Sequence, residues 1–333
     1  MKPRSNTVGV IGCGQIASEV HLPVLRAMGF NVCWILDPNV KSVRAVSRVF
    51  GAESLMSAAD LSTAEAPEVV VLACPYGVRS DYYRAFETHM RNSAILVEKP
   101  IALTTAEHDL IVGLREDHKV GGGYNRRRSP QLQFVKSILD SGMLGMLQAA
   151  DFQYGFVGNK TAGKYAANLK LAGGGPLFDT GVHGIDSILF TLGARDAHVQ
   201  DVFMKMDAGF DVHTSAQLAI ETDGGTVPCR IKVTLLANTT NSIRLDFERC
   251  RLEFSLFREG VYLTPNTGAP EVKVAISNSG NVPIGSHVKE CIFWTDFLDA
   301  VRSGTCNYTN LVNSRLTTSV VEAIYSQGGS DKP

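Results

Sequence analysis

Residues 7–17, Thr7-Val8-Gly9-Val10-Ile11-Gly12-Cys13-Gly14-Gln15-Ile16-Ala17, decide the fold. Thr7–Ile11 is a short β-branched run, and its composition predicts a strand. Gly12-x-Gly14-x-x-Ala17 follows at once. From Gln15 to Met28 the spacing turns helical, with Ile16, Val20, Val24 and Leu25 close to one face. Strand, glycine-rich turn and helix in this order make the phosphate-binding start of a dinucleotide-binding unit. Gly12 permits the tight turn, Gly14 lets backbone approach a pyrophosphate, and Ala17 is small enough for the helix to pack on the strand. The helix N-terminus offers free N–H groups and partial positive charge to the phosphates. The next apolar run, Asn31–Leu36, is closed by Asp37-Pro38-Asn39. An acid at that point accepts hydrogen bonds from the adenosine ribose and repels a 2′-phosphate, which favours NAD. Lys41 and Arg44, about one helical turn further on, keep NADP open.

Working outward, strands and helices keep alternating. Val40–Phe50 has helical spacing. Glu68–Ala73 contains Val69, Val70, Val71 and Leu72 in succession, the signature of a strand buried on both faces; Ala94–Val97 and Val120–Tyr124 are further short strands. Continuous apolar strands between helices predict a parallel sheet covered on both sides. After about residue 124 the character changes. Helices are expected over Ser129–Ser141 and Pro176–Leu192, with a strand at Leu147–Phe156 between them. Period-2 alternation then takes over: Val227, Cys229, Ile231, Val233 and Leu235 point one way, Pro228, Arg230, Lys232 and Thr234 the other. Ile243, Leu245 and Phe247, then Leu252, Phe254 and Leu256, then Val272, Val274 and Ile276 continue it, which predicts a largely antiparallel sheet. Val288–Val301 and Asn310–Tyr325 return to helical spacing. The expected architecture is α/β: an N-terminal Rossmann domain (1–123) plus a C-terminal α+β domain with an open, largely antiparallel sheet (124–333), the last helices free to pack back on the first domain.

The bulk composition is that of a soluble globular protein, 44% hydrophobic and 20% charged over 333 residues. A formal net charge of -1 gives no reason to expect a nucleic-acid or acidic-membrane partner. The dense basic run, Arg126-Arg127-Arg128, reads as an ion-paired or solvated loop, with anion binding as the alternative. Seven cysteines, none in a C-x-x-C pair, read as free thiols in a reducing compartment. The polar start, Met1 to Asn6, does not resemble a signal peptide, and no apolar run is long enough to span a bilayer. The cytoplasm is the expected location.

Two patches add chemistry. Glu98-Lys99-Pro100 follows the strand Ala94–Val97, at the carboxyl edge where such sheets bind ligands. A Lys-Pro bond adopts cis at low cost, and a lysine there can donate a proton or hydrogen bond to a reacting oxygen. The alternative is a surface lysine before a turn. Downstream, Asp179-Thr180-Gly181-Val182-His183 places an aspartate and a histidine four apart, on one helix face. A carboxylate beside a histidine raises its pKa and fixes its orientation. The alternative is a capping aspartate and a partly buried histidine. Asp179, His183 and Asp186 lack a further ligand, so no metal is expected.

Gly12-x-Gly14-x-x-Ala17, Glu98-Lys99-Pro100, Gly123-Tyr124-Asn125-Arg126-Arg127 and Gly173-Gly174-Gly175…Asp179-x-Gly181-Val182-His183-x-x-Asp186 occur in the order that resembles the Gfo/Idh/MocA oxidoreductases. The resemblance is densest from 8 to 195 and implies the two-domain fold read above. It also implies an enzyme that uses NAD, or NADP, to oxidise or reduce sugars, inositols, nucleotide sugars or related polyols. Packing as a homodimer or homotetramer through the open sheet follows from it as well. Lys99 matches the catalytic lysine, polarising the oxygen; His183 matches the general base; Asp179 positions substrate or tunes the pair. Tyr124, Asn125 and Arg126 fall where members contact substrate or nicotinamide. Gln15 and Ile16 of the turn, the loop residues Cys74 and Pro75, and Glu98 and Lys99 join Gly12, Gly14, Ala17 and Asp37 as expected cofactor contacts. One loop departs from the family pattern Thr-Pro-Asn-x-x-His: here it is Cys74-Pro75-Tyr76-Gly77-Val78-Arg79. Substrate choice would reside in loops such as Phe156–Lys170, where Lys160, Lys164 or Lys170 could meet a phosphate. An apolar exposed sheet face would favour self-association. Two other functions fit the same motifs: transient oxidation by bound NAD with elimination or hydrolysis and no net redox, and a cofactor-binding regulator without turnover.

Overall fold

The computed structural model describes residues 4–158, 168–256, 260–276 and 288–328. The chain forms two compact units. The first comprises the chain to residue 102 with 106–125 and 288–314; the second, among described residues, comprises 103–105, 126–276 and 315–328. Both are discontinuous in sequence, which a single cut at 123/124 does not capture. The helix Val288–Ser303 belongs to the first unit and the helix Arg315–Gly328 to the second.

The first unit is built on strands β1 (Arg4–Ile11), β2 (Asn31–Leu36), β3 (Glu53–Leu55), β4 (Pro67–Leu72), β5 (Ala94–Val97) and β6 (Val120–Gly122). They pair in the order β3-β2-β1-β4-β5-β6, every pair parallel. The strand order reverses at the β1/β4 neighbourhood, the point where doubly wound sheets open a ligand crevice at their carboxyl ends. Every residue of β4 and β5 is buried, as a sheet covered on both faces requires. Helices α1 (Leu22–Ala27), α2 (Val40–Phe50), α3 (Ser80–Thr88) and α4 (Thr105–Gly113) connect the strands. Asn39 caps α2 by accepting from the Ser42 amide, and Gly51 ends it in the left-handed conformation. The helix Val288–Ser303 completes the core with Cys291, Phe293, Trp294, Phe297 and Leu298.

In the second unit, α5 (Pro130–Asp140), β7 (Leu147–Gly155), α6 (Leu169–Ala172) and α7 (Val182–Leu192) precede a run of strands. These are β8 (Asp196–Asp207), β9 (Phe210–Thr222), β10 (Gly225–Thr234), β11 (Ser242–Phe247), β12 (Cys250–Ser255), β13 (Val261–Pro265) and β14 (Val272–Val274). Their order is β14-β13-β12-β11-β7-β10-β9-β8, antiparallel except for β7 with β10. Val227, Cys229, Ile231 and Val233 are buried, as the alternation predicts. The two longest strands, β8 and β9, have no counterpart in the sequence reading. Their faces mix polar and apolar residues, and β8 has no fully buried position.

The opposite face of this sheet carries mostly polar and charged side chains, with Phe203 of β8 exposed among them. Strand register sets Arg230 against Asp151 and Gln217, and Arg244 against Asp151 and Glu253. Ion pairs join Arg230 to Asp151 at 3.3 Å and both Arg244 and Arg251 to Asp246, at 3.2 and 2.8 Å. The alternation that turns Ile231 and Val233 inward leaves the arginines outside.

A buried ion pair anchors α7. The Arg127 guanidinium donates through Nε and Nη2 to the two oxygens of Asp186, at 2.9 and 2.5 Å. Thr317 Oγ1 adds a bond to Oδ1 at 3.0 Å. Arg127 also lies over the Phe190 ring, 5.3 Å from its centroid. Truncating one partner leaves the other charge buried and uncompensated. Asp186→Ala should therefore lower the unfolding free energy by about 3–5 kcal/mol in urea titration; a loss under about 1 kcal/mol would show that the pair does not anchor the helix.

Candidate active site

In the first unit the glycine-rich turn sits at the carboxyl end of β1. Gly12 has φ +93°, and a Cβ there would lie 2.7 Å from the Cys74 amide nitrogen. Both the dihedral and the close approach require glycine. A Cβ on Gly14 would meet nothing within 4 Å, and Gly14, Gln15 and Ile16 are exposed. The helix that follows starts with one π turn, Ala17–His21, before α1, and no side chain caps it. Ala17 is fully buried against the sheet, so it acts through packing. The Asp37 carboxylate accepts from the Cys13 amide at 3.0 Å and the Asn39 amide at 2.8 Å. That fixes it beside the turn with lone pairs left for hydroxyl donors. Open space over Gly14, an uncapped helix start and a tethered acid fit the diphosphate and ribose of a dinucleotide.

The thiols here are inert. Burial first, then the charge of Asp37 and a hydrogen bond to it, push Cys13 up to about 12. Burial pushes Cys74 up to about 11. Both stay protonated and unreactive at neutral pH.

Glu98 points inward. Its Oε1 lies 2.9 Å from His21 Nε2, and its Oε2 accepts the Lys99 amide at 3.0 Å. Trp294 donates its indole N–H to His21 Nδ1 at 3.2 Å. With Nδ1 accepting, the network assigns the imidazole proton to Nε2, from which it is donated to Glu98. Burial pushes the Glu98 carboxyl up, but the His21 bond and the nearby Lys99 and Arg79 charges outweigh it and hold the group below the usual carboxylate range. The Lys99-Pro100 peptide is cis. Arg79, where the family pattern has histidine, is buried; its Nε donates to the Cys74 carbonyl at 3.1 Å and its Nη1 to the Pro100 carbonyl. It joins the Cys74-Pro75 loop to the Lys99 loop. Tyr76, at the pattern's asparagine position, donates to Glu107 at 2.7 Å. Tyr124 is buried, and Asn125 donates to Glu290 at 3.4 Å.

In the second unit Asp179 lies in a π turn, Leu177–Gly181, that runs into α7. From Leu177 to Leu189 only Asp179, Thr180 and His183 keep partial exposure. The polar pair of the sequence motif is thus the accessible edge of an otherwise buried helix. Asp186 is not part of that edge, since Arg127 and Thr317 occupy its carboxylate.

Tyr154 joins this edge and was not anticipated. It ends the inward register of β7 after Ala150 and Phe152, and bonds to Thr180. Burial first, and the charge of Asp179, raise its hydroxyl; the Thr180 bond and Arg126 oppose the rise. A tyrosine closing an apolar strand register was the available signal. Arg126 lies near Tyr154 and donates to the Leu256 carbonyl. Arg127 is committed to Asp186 and does not join this group. Lys170 is exposed, while Lys160 and Lys164 lie outside the described residues. The second unit therefore gathers a carboxylate, an imidazole, a phenol and a guanidinium, a set able to bind hydroxyls and move a proton.

Residues 6–121 match the family model described as an oxidoreductase family with NAD-binding Rossmann fold, and residues 132–253 match that of the GFO/IDH/MocA C-terminal domain. A proposed UDP-kanosamine synthase oxidoreductase subunit of Amycolatopsis mediterranei (strain S699) is 27% identical over 196 residues, 55% of this chain and 51% of that protein. The D-glucoside 3-dehydrogenase of Escherichia coli (strain K12) is 24% identical over 190 residues, 56% and 54% of the two chains. The chain thus spans about half the length of the curated relatives it matches. Among solved structures, KijD10, a 3-ketoreductase from Actinomadura kijaniata in complex with NADP and TDP-benzene, superposes with TM-score 0.81 at 21% identity, covering 97% of this chain and 98% of the other. At such identity the likeness shows the fold.

Asp37→Asn removes the charge that accepts the ribose hydroxyls. A charge-assisted bond contributes about 1.5–3 kcal/mol, so fluorescence titration should show NADH binding weakened at least about tenfold, with NADPH affected less. Unchanged NADH affinity would remove Asp37 from the cofactor contacts.

Proposed function

Because this chain belongs to the Gfo/Idh/MocA family of oxidoreductases, we propose that it transfers a hydride between a nicotinamide cofactor and a hydroxyl or keto carbon of a sugar-like substrate. The observation that carries this reading is the edge of α7: on a helix otherwise buried, the partly exposed positions are Asp179, Thr180 and His183. A carboxylate and an imidazole at these positions can bind hydroxyls and move a proton.

The first unit holds the cofactor: Gly12, Gly14, Gln15 and Ile16 through backbone at the helix start, Asp37 at the ribose, and the Cys74-Pro75 loop near the nicotinamide. NAD is the favoured form, since the Asp37 carboxylate accepts ribose hydroxyls and repels a 2′-phosphate. The bound nicotinamide supplies the carbon that accepts or delivers the hydride. His183 takes the hydroxyl proton as the substrate carbon is oxidised, and returns it in the reverse direction. Asp179 orients the imidazole and stabilises its protonated form. Lys99 donates a hydrogen bond to the reacting oxygen. Glu98, held by His21 and Trp294, fixes the backbone from which Lys99 projects. Tyr124, Asn125, Arg126 and Tyr154 contact substrate hydroxyls.

Two of the relatives are named for position 3 of a glucoside or for a 3-keto group. The substrate class is accordingly a pyranoside, free or nucleotide-linked, with C3 the first carbon to test. None of the seven cysteines is in a disulfide, which fits a reducing compartment such as the cytoplasm. Among described residues no helix is long and apolar enough to cross a membrane. The chain assembles as a homodimer or homotetramer through the open sheet, where Phe203 stands exposed. Gel filtration should then elute the protein at two or four chain masses; elution at one chain mass would contradict the assembly.

The activity is tested by incubating protein, NAD and a panel of glucosides and nucleotide-linked hexoses, following NADH by its absorbance. Lys99→Ala should slow turnover by roughly 10²–10⁴-fold. Undiminished turnover in that variant would remove Lys99 from the chemistry. Product without net NADH would point to a redox-neutral cycle.

A further inference from the structure

The start of the helix carrying Asp179 is closed by two residues far away in sequence. Asp211, on β9, is fully buried and faces no cation in its hydrogen bonds. Its Oδ1 accepts the Gly175 amide at 2.6 Å and the Tyr325 hydroxyl at 2.6 Å; its Oδ2 accepts the Leu177 amide at 2.9 Å. The Tyr325 hydroxyl in turn bonds to the Phe178 amide. Pro176 has no N–H, and the Asp179 amide donates to the Gly175 carbonyl at 3.0 Å. Every backbone donor from Gly175 to Asp179 is thus accounted for, a complete capping of a helix start by a carboxylate and a phenol. Gly175 is the link: its N–H is held by Asp211 and its carbonyl accepts from the Asp179 amide.

The glycines before this helix are required by the same device. A Cβ on Gly175 would lie 2.2 Å from the Asp211 carbonyl oxygen and 2.6 Å from its Oδ1. A Cβ on Gly174 would lie 2.5 Å from the Tyr325 hydroxyl. Burial pushes the Tyr325 hydroxyl well above its usual value, so it stays a donor. The carboxylate also sits at the positive end of the helix dipole. Asp211 lies at the start of β9 and Tyr325 on the helix Arg315–Gly328, and both oxygens of Asp211 are directed at the first turn of the helix that carries Asp179.

We propose that Asp211 and Tyr325 are positioning residues for hydride transfer, a buried clamp that sets the first turn of the helix and thereby holds Asp179 and His183 in their working orientation. This rests on the function proposed above. The clamp acts through backbone, so it governs turnover and not cofactor affinity.

The test uses the full chain with Tyr325→Phe, which removes one hydroxyl, and Asp211→Asn, which turns an acceptor into a donor facing N–H and O–H groups. Turnover should fall about 10-fold in the first and about 100-fold in the second, the range of one lost and of several mismatched buried hydrogen bonds. NADH affinity should stay within about twofold. Adding Asp211→Asn to His183→Ala should cost less than about threefold more, because residues acting as a unit are not additive. Unchanged turnover in both variants, or full multiplication of the two effects, would overturn the proposal. Amide hydrogen exchange supplies a readout independent of activity: peptides covering 175–183 should exchange faster in both variants while β7 keeps its protection. Unaltered exchange would overturn the clamp. A wild-type protein that transfers no hydride on the panel counts against the proposed function, and the exchange arm alone then decides whether the clamp exists.

Discussion

A helix start leaves backbone N–H groups with no partner inside the helix, and something must satisfy them. The arrangement of this protein follows from how two helix starts meet that requirement. After β1 the chain provides no side-chain cap, keeps Gly14 to Ile16 exposed and leaves the space over Gly14 open. Before α7 the chain provides a full internal cap from Asp211 and Tyr325. One start is open to solvent, and the other is closed by side chains of the same chain. Both helices open with a π turn, a feature often found at functional sites because it redirects side chains within a continuous helix.

The same economy of buried polar groups organises the Lys99 loop. Glu98 would be costly inside the first unit without partners. His21, backed by Trp294, and the Lys99 amide satisfy it. Arg79 satisfies two loop carbonyls that would otherwise lack donors. The departure from the family pattern at this position is therefore not an empty substitution: a guanidinium spans two loops where an imidazole could reach one.

Much of this was legible in the sequence because it is local. The strand, glycine turn and helix over residues 7–28, the acid at Asp37, the buried run at β4 and the alternation of β10 to β12 each follow from residues close together in the chain. What could not be read depends on distant partners. Strand β8 lacks a strong alternation, since it has no fully buried position. The polar face of the sheet could not be told from an aliphatic one until register fixed which residues share a side. Placing Val288–Ser303 in the first unit rests on contacts of Trp294 and Phe297 with strands nearly the whole chain away. In the candidate site, Lys99, Asp179 and His183 announced themselves by motif. Tyr154, Asp211 and Tyr325 did not, because a tyrosine or aspartate acquires its role only when folding brings it to a helix start or edge.

The central claim is that the uncapped start after β1 holds a dinucleotide while the capped start before α7 does not bind an anion. A crystal structure of the protein grown with NAD tests this most directly. The pyrophosphate should lie against the backbone of Gly14 to Ile16, with the adenosine ribose hydroxyls on Asp37. A cofactor bound elsewhere, or its phosphates lodged at Gly175 with Asp211 displaced, would contradict it.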